Sequence, residues 1–219
     1  MNDFSRIDQG ITIVTAFFDI GRGDWTKDQG HPGYLHRPTD RYFEYFKNLA
    51  KLENPFIVYT SEEFVDKILK IREGKKTIVI TIDIKEKFKF FLNRIEKIQK
   101  NEEFRSKVAS EQLCNPEYWS PPYVLVNNLK SYFVNDSIQN NLVSTDLVAW
   151  IDFGYCRDIK TLNNLTQWNY RFDTSKMHLF TIHKKYHFTK ENVLNSILGN
   201  VPFIIGGGIV GSVQLWPKF

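Results

Sequence analysis

The sequence predicts an α/β domain, a mostly parallel sheet flanked by helices, and three observations carry that expectation. Short runs rich in β-branched and aromatic residues recur along the chain, beginning with Ile11-Thr12-Ile13-Val14-Thr15-Ala16-Phe17-Phe18. Between them lie segments whose apolar residues fall three and four apart, as on one face of a helix. The 219 residues, 42% hydrophobic and 25% charged, show no repeat and no low-complexity linker. Residues 1–219 therefore read as one domain, long enough to bury a core.

The first run leads into Asp19-Ile20-Gly21-Arg22-Gly23-Asp24-Trp25, a turn-forming loop, and the chain stays polar and irregular to Pro38. Thr39 or Asp40 is placed to cap a helix carrying Tyr42, Phe43, Phe46, Leu49 and Ala50, which Asn54-Pro55 ends. Phe56 to Tyr59 is a second strand. Thr60-Ser61-Glu62-Glu63 has capping-box form ahead of a helix with Phe64, Val65, Ile68 and Leu69, closed by Gly74. Thr77 to Ile82 is a third strand. From Lys85 to about Lys107, Phe88, Phe91, Leu92, Ile95 and Ile98 fall at helical spacing among lysines. Such a helix suits either the face of a sheet or an anionic membrane surface. Pro121-Pro122 opens a helix from Tyr123 to Ile138 with Val126, Leu129 and Phe133 inward. Asp146 to Asp152 is the fourth strand and His178 to Ile182 the fifth. Thr189 caps a last helix ending at Gly199, and Val201 to Ile205 leads into Gly206-Gly207-Gly208.

The formal charge of +4, from 29 basic and 25 acidic side chains, suits anionic ligands or surfaces and is too weak to indicate nucleic acid. Cys114 and Cys156 form no Cys-x-x-Cys pair, which fits a reducing compartment. The N-terminus lacks the layout of a signal peptide, and the apolar stretch Val201 to Val210 is about half the ~20 residues a membrane span needs. A cytoplasmic protein is expected.

In an open parallel sheet, ligands lie beyond the carboxyl ends of the strands. That directs attention to the loop after Phe18, to Asp152 and to the glycine run after Ile205. Asp152 follows five apolar residues, so its carboxylate emerges at the sheet edge, either to hold a divalent cation or to cap a turn. Gly21-Arg22-Gly23 would let a phosphate approach closely, with Arg22 as donor, or would simply be a turn. It is neither a P-loop nor a dinucleotide fingerprint, since Thr26 stands where the third glycine belongs. His178, His183 and His187 make no zinc pattern, and no hydrolase nucleophile motif is present.

Three segments together resemble the HtrL/YibB family of bacterial proteins: Ile13-Val14-Thr15-Ala16-Phe17-Phe18-Asp19-Ile20-Gly21-Arg22-Gly23, Tyr123-Val124-Leu125-Val126-Asn127-Asn128-Leu129-Lys130, and Trp150-Ile151-Asp152-Phe153-Gly154-Tyr155. The likeness covers nearly the whole chain, and the last segment is its most specific part. The family is found with lipopolysaccharide-core and capsule genes, and its members resemble glycosyltransferases of the GT-A-like (Rossmann-type) fold. The resemblance implies Thr15, Phe17, Asp19 and Arg22 at the base and diphosphate of a nucleotide-sugar donor, a UDP-sugar foremost, with Lys130 facing it. It implies Asp152 as the carboxylate for Mn²⁺ or Mg²⁺, and Gly206, Gly207 and Gly208 along the sugar pocket. The chain would then move a sugar onto a surface glycan or glycolipid acceptor, from the cytoplasm or from a position peripheral to the inner membrane. Gly154 replaces the second aspartate of the usual Asp-x-Asp motif, and members continue past the position of Phe219. A truncated form lacking the acceptor region is expected, and a nucleotide-binding, non-catalytic member is the alternative. A nucleotidyltransferase would need a glycine-rich, lysine-containing signature at the first strand, where Lys27 is the only nearby lysine.

Overall fold

The computed structural model describes residues 8–182, 189–199 and 201–219. In chain order the elements are β1 (Asp8–Phe17), α1 (Thr39–Leu49), β2 (Phe56–Thr60), α2 (Val65–Ile71), β3 (Thr77–Thr81), α3 (Ile84–Lys87), α4 (Lys89–Gln99) and α5 (Glu102–Ser106). They continue with α6 (Pro121–Asn128), α7 (Lys130–Gln139), β4 (Thr145–Ile151), β5 (His178–Thr181), α8 (Lys190–Leu198) and β6 (Ile204–Ser212). The strands form one sheet in the order β3-β2-β1-β4-β6-β5. β1 pairs in parallel with β2 and β4, and β2 with β3. β6 is antiparallel to both neighbours, so it alone runs against the other five. The fold is α/β with a mostly parallel sheet, as the sequence predicts.

Alternation along the central strands sorts side chains to two faces. Ile11, Ile13 and Phe17 of β1, Phe56 and Val58 of β2, and Leu147, Ala149 and Ile151 of β4 join α1 residues Phe43, Phe46 and Leu49 in one core. Val14, Ala16, Ile57, Tyr59, Val148 and Trp150 point the other way, onto Phe88, Leu125, Leu129 and Phe133. A latch ties the start of the β1–β4 pair, where Thr145 Oγ1 accepts from the Thr12 amide at 2.9 Å. The connections from β1 run to β2 on one side, and the chain later returns to β4 on the other. The switch point of the sheet therefore lies between β1 and β4, at their carboxyl ends.

Several local expectations give way to tertiary contacts. α1 begins at Thr39 behind Pro38 with no side-chain cap, because the Thr39 hydroxyl donates to Asp19 Oδ2 instead. Thr60 is no capping residue: it ends β2, and its buried hydroxyl donates to the Phe17 carbonyl at 2.8 Å. The Lys85–Lys107 segment is three helices. Asp83 caps α3 and Asn101 caps α5, each side chain accepting from backbone amides. In this segment Phe88 is buried, while Phe91 and Ile98, expected inward, are exposed. The predicted Tyr123–Ile138 helix is broken at Leu129 into α6 and α7, after Asn127 and Asn128 donate back to the carbonyls four residues earlier. The capping box at Thr189 forms as predicted. The glycine run does not follow a strand ending at Ile205, for Gly206, Gly207 and Gly208 lie inside β6, Gly208 opposite Ile151.

Candidate functional site

A cavity of about 460 Å³ opens over the switch point, within the range of small-molecule sites. Its floor is the end of β1 and the residue after it (Ala16 to Phe18) with Trp150 and Phe153, and its rim carries Asp19, Arg22, Arg37, Lys130, Asp152 and Arg157. Four cationic residues against two carboxylates make it suited to an anion.

The Asp152 side is built from alternation at the end of β4. Trp150 and Asp152 lie on one face of the strand, and Phe153 turns to the other. There the Phe153 ring stacks on Phe46 at 4.1 Å with an interplanar angle of 7°. That buried anchor fixes the backbone that carries Asp152. The Asp152 amide donates to the Gly207 carbonyl at 2.9 Å, and its own carbonyl accepts from the Tyr155 amide. On the side chain, Oδ1 accepts from Trp150 Nε1 at 2.7 Å and pairs with Lys130 Nζ at 2.8 Å. Lys130, the first residue of α7, also donates to the Gly206 carbonyl at 2.8 Å. Gly207 has a steric reason here: a Cβ would come 2.9 Å from the Tyr155 ring and 3.2 Å from Asp152 Oδ2.

The opposite wall is the loop after β1. Asp19 Oδ1 accepts from the Gly21 amide at 2.8 Å, in a turn that holds Gly21 at φ 80°. Arg22 is buried rather than presented on the loop. Its Nε and Nη2 donate to the Leu35 carbonyl at 3.3 and 3.0 Å, and Nη1 to the Tyr42 hydroxyl at 2.7 Å. Its guanidinium also lies over the Trp25 ring, 5.1 Å from the centroid. Most of its donor capacity thus braces the loop, leaving two of five N–H groups for a ligand. Tyr123 faces the same cavity. Burial first, then the Glu117 carboxylate, pushes its phenol above the ordinary value, so it is a neutral donor at physiological pH.

Of the residues singled out in the sequence, Phe17, Asp19, Arg22, Lys130, Asp152 and Gly207 meet around this cavity. Thr15 does not: it is fully buried in mid-strand, and its hydroxyl has no hydrogen-bond partner. Gly206 contributes its carbonyl to Lys130, and Gly208 packs under Ile151 and Phe180, away from the cavity. His183 and His187 lie outside the described residues. His178 takes part in the sheet, its Nε2 2.9 Å from the Asp173 carbonyl. Sequence reasoning missed Arg37, Tyr42, Tyr123, Asn127 and Arg157. One signal was available: Tyr123, Asn127 and Lys130 are spaced i, i+4, i+7, a single helical face. Arg37 had none, because it is brought in by an irregular loop.

Among the described residues the cleft carboxylates leave few oxygens for a divalent cation. Asp152 Oδ1 is taken by two donors, and both Asp19 oxygens are engaged by Gly21 and Thr39. Position 154 offers no second carboxylate, and a Cβ there would lie 3.0 Å from Tyr42 Cδ1. Among the described residues no three His, Cys, Asp or Glu side chains converge.

Fold and site together define an open α/β domain with an anion-suited cleft at its topological switch point. A family model described as "Bacterial protein of unknown function (HtrL_YibB)" matches residues 9–219. The chain is 54% identical over 209 residues to Protein HtrL of Escherichia coli (strain K12), covering 95% of this chain and 73% of that protein. It belongs to the HtrL/YibB family. Among solved structures it is similar to mouse xyloside xylosyltransferase 1 in its apo form, at 8% identity and a TM-score of 0.39. That match covers 95% of this chain and 69% of the other.

Proposed function

We propose that this chain is a glycosyltransferase that binds a nucleotide-sugar in the switch-point cleft and passes the sugar to a hydroxyl of a surface glycan or glycolipid. The observation that carries the reading is the cationic cavity at the carboxyl ends of β1 and β4, with Lys130 held on Asp152 at its rim. In the transfer, the acceptor oxygen bonds to the anomeric carbon as the carbon–oxygen bond to the diphosphate breaks. The electron pair leaves with the diphosphate and the acceptor proton passes to a base. Lys130, Arg37 and Arg157 are the groups suited to stabilise charge developing on that leaving group.

The test is a panel of nucleotide-sugars incubated with the purified chain, reading release of the nucleoside phosphate with and without glycan acceptors. One donor should turn over, and Lys130→Met should cut the rate by at least roughly tenfold, the scale of one lost charge-stabilising contact. The engagement of both cleft carboxylates favours a second reading, a nucleotide-binding domain without turnover. Donor binding with no release would select it.

The same α3–α4 segment supports a peripheral contact with an anionic membrane. Phe90 and Phe91 are exposed side by side, ring centroids 5.5 Å apart, on a helix flanked by Lys85, Lys87, Lys89 and Lys97. No described helix is long and apolar enough to cross a bilayer. Salt-sensitive sedimentation with phosphatidylserine vesicles, lost in Phe90→Ser/Phe91→Ser, is expected. No sedimentation of the wild type would end this part of the reading.

A further inference from the structure

We propose that the diphosphate in this cleft is neutralised by the protein's own cations, Lys130 with Arg37 and Arg157, and that no divalent ion sits between it and Asp152. The inference rests on the donor-site reading above and sharpens what that site requires. Lys130 is already where a cation would be needed. Its side chain is only 15% exposed, held by the Gly206 carbonyl, by Asp152 Oδ1 and by the Trp150 ring 5.9 Å away. Two of the three ammonium N–H groups have protein partners, leaving one for a phosphate oxygen.

Asp152 in turn is a positioning residue. Trp150 and Lys130 both claim Oδ1, so a divalent ion could take only Oδ2 and would share one carboxylate with an ammonium. Two cations on one carboxylate repel, and apart from Asp152 Oδ2 an ion there would have to draw its oxygen ligands from the diphosphate and water. Steric packing closes the obvious source of such a ligand. Tyr42, bonded to Arg22, lies against Gly154, so a side chain at 154 would displace the ring that braces the opposite wall.

The remaining charge is available close by. Arg37 and Arg157 line the same cavity, and neither has an ion pair among the described residues. Each can offer a fork of two N–H donors to phosphate oxygens. Lys130 as a fixed point charge with two guanidinium groups would supply what an ion otherwise supplies to a leaving diphosphate.

The experiment is calorimetric titration of UDP into the wild-type chain in excess EDTA and again in saturating Mn²⁺. The expected result is binding in both, with dissociation constants within roughly threefold of each other. Lys130→Met should weaken binding at least about tenfold in both buffers, and Lys130→Arg should restore most of it. Arg37→Gln and Arg157→Gln should each weaken it by roughly threefold to tenfold. Binding that appears only with Mn²⁺ would overturn this proposal and leave the donor site standing. Unchanged binding by a folded Lys130→Met would overturn it too. Absence of binding in both buffers by UDP, and then by GDP and CMP, would overturn both. If Lys130→Met fails to fold, the wild-type comparison between EDTA and Mn²⁺ decides alone.

Discussion

The central strands and the far edge of the sheet are built on opposite terms. In β2 every side chain is buried, and in β4 all but Asp146. Helices cover both faces there. At the edge, β5 alternates half-buried and exposed residues, and Leu179, Ile182, Leu194, Ile197 and Ile204 are each at least 40% exposed. The difference teaches how the site is made. The centre supplies rigidity through side chains, above all Phe153 on Phe46, which anchors Asp152. The edge contributes backbone: a carbonyl from Gly206 for Lys130, and at Gly207 the space in which Asp152 and Tyr155 sit.

The comparison breaks if the two regions cost the same to damage. Phe46→Ala, at a fully buried ring, should destabilise the protein by about 3–5 kcal/mol in urea denaturation. Ile197→Ala, at a side chain 66% exposed, should change stability by less than about 0.5 kcal/mol. Equal costs would mean the edge is as much core as the centre.

Gly207→Ala sharpens the functional half of the contrast. Its Cβ would press on Tyr155 and on Asp152 Oδ2, so UDP affinity should fall at least roughly tenfold, or about 1.4 kcal/mol. Stability should stay within about 1 kcal/mol, because the neighbour pressed hardest is a partly exposed ring. A variant that unfolds while a wild-type-like fraction still binds UDP would contradict this account of the glycine.

Smaller effects follow from single polar groups. Thr60→Val removes the buried bond to the Phe17 carbonyl and should cost about 1 kcal/mol in the same assay. Cys156 is buried and desolvation pushes its thiol up to about 11, whereas Cys114 is exposed. Because the raised value keeps the Cys156 thiol protonated well above neutrality, iodoacetamide at about pH 8 should label Cys114 alone in the native protein. Labelling of both at equal rates would show that the Cys156 side of the core opens.

What was legible in the sequence was what local pattern controls. The run Ile11 to Phe18 reads as a buried strand because all of it is buried, and Asp152 stands out because five apolar residues precede it. Thr189 reads as a cap because its partner is three residues away. The misses share a cause in contacts between distant residues. Thr60 carries a capping signature, yet its hydroxyl is drawn to β1, 43 residues back. Arg22 reads as a loop donor, yet Leu35 and Tyr42 enclose it. The three glycines read as following a strand, yet they lie inside β6, with Gly208 paired to Ile151 of β4. The candidate site was half visible: the strand-end residues were found by the carboxyl-end rule, while Arg37 and Tyr42 come from segments whose approach only the folded chain sets.

The central claim is that the cleft between the ends of β1 and β4 binds a nucleoside phosphate. Titration of UDP, then GDP and CMP, against the wild-type chain tests it most directly. Binding with a dissociation constant below about 1 mM for one of the three, weakened at least about tenfold in Gly207→Ala, is the predicted result. No binding of any of them would contradict the account and remove the transferase reading with it.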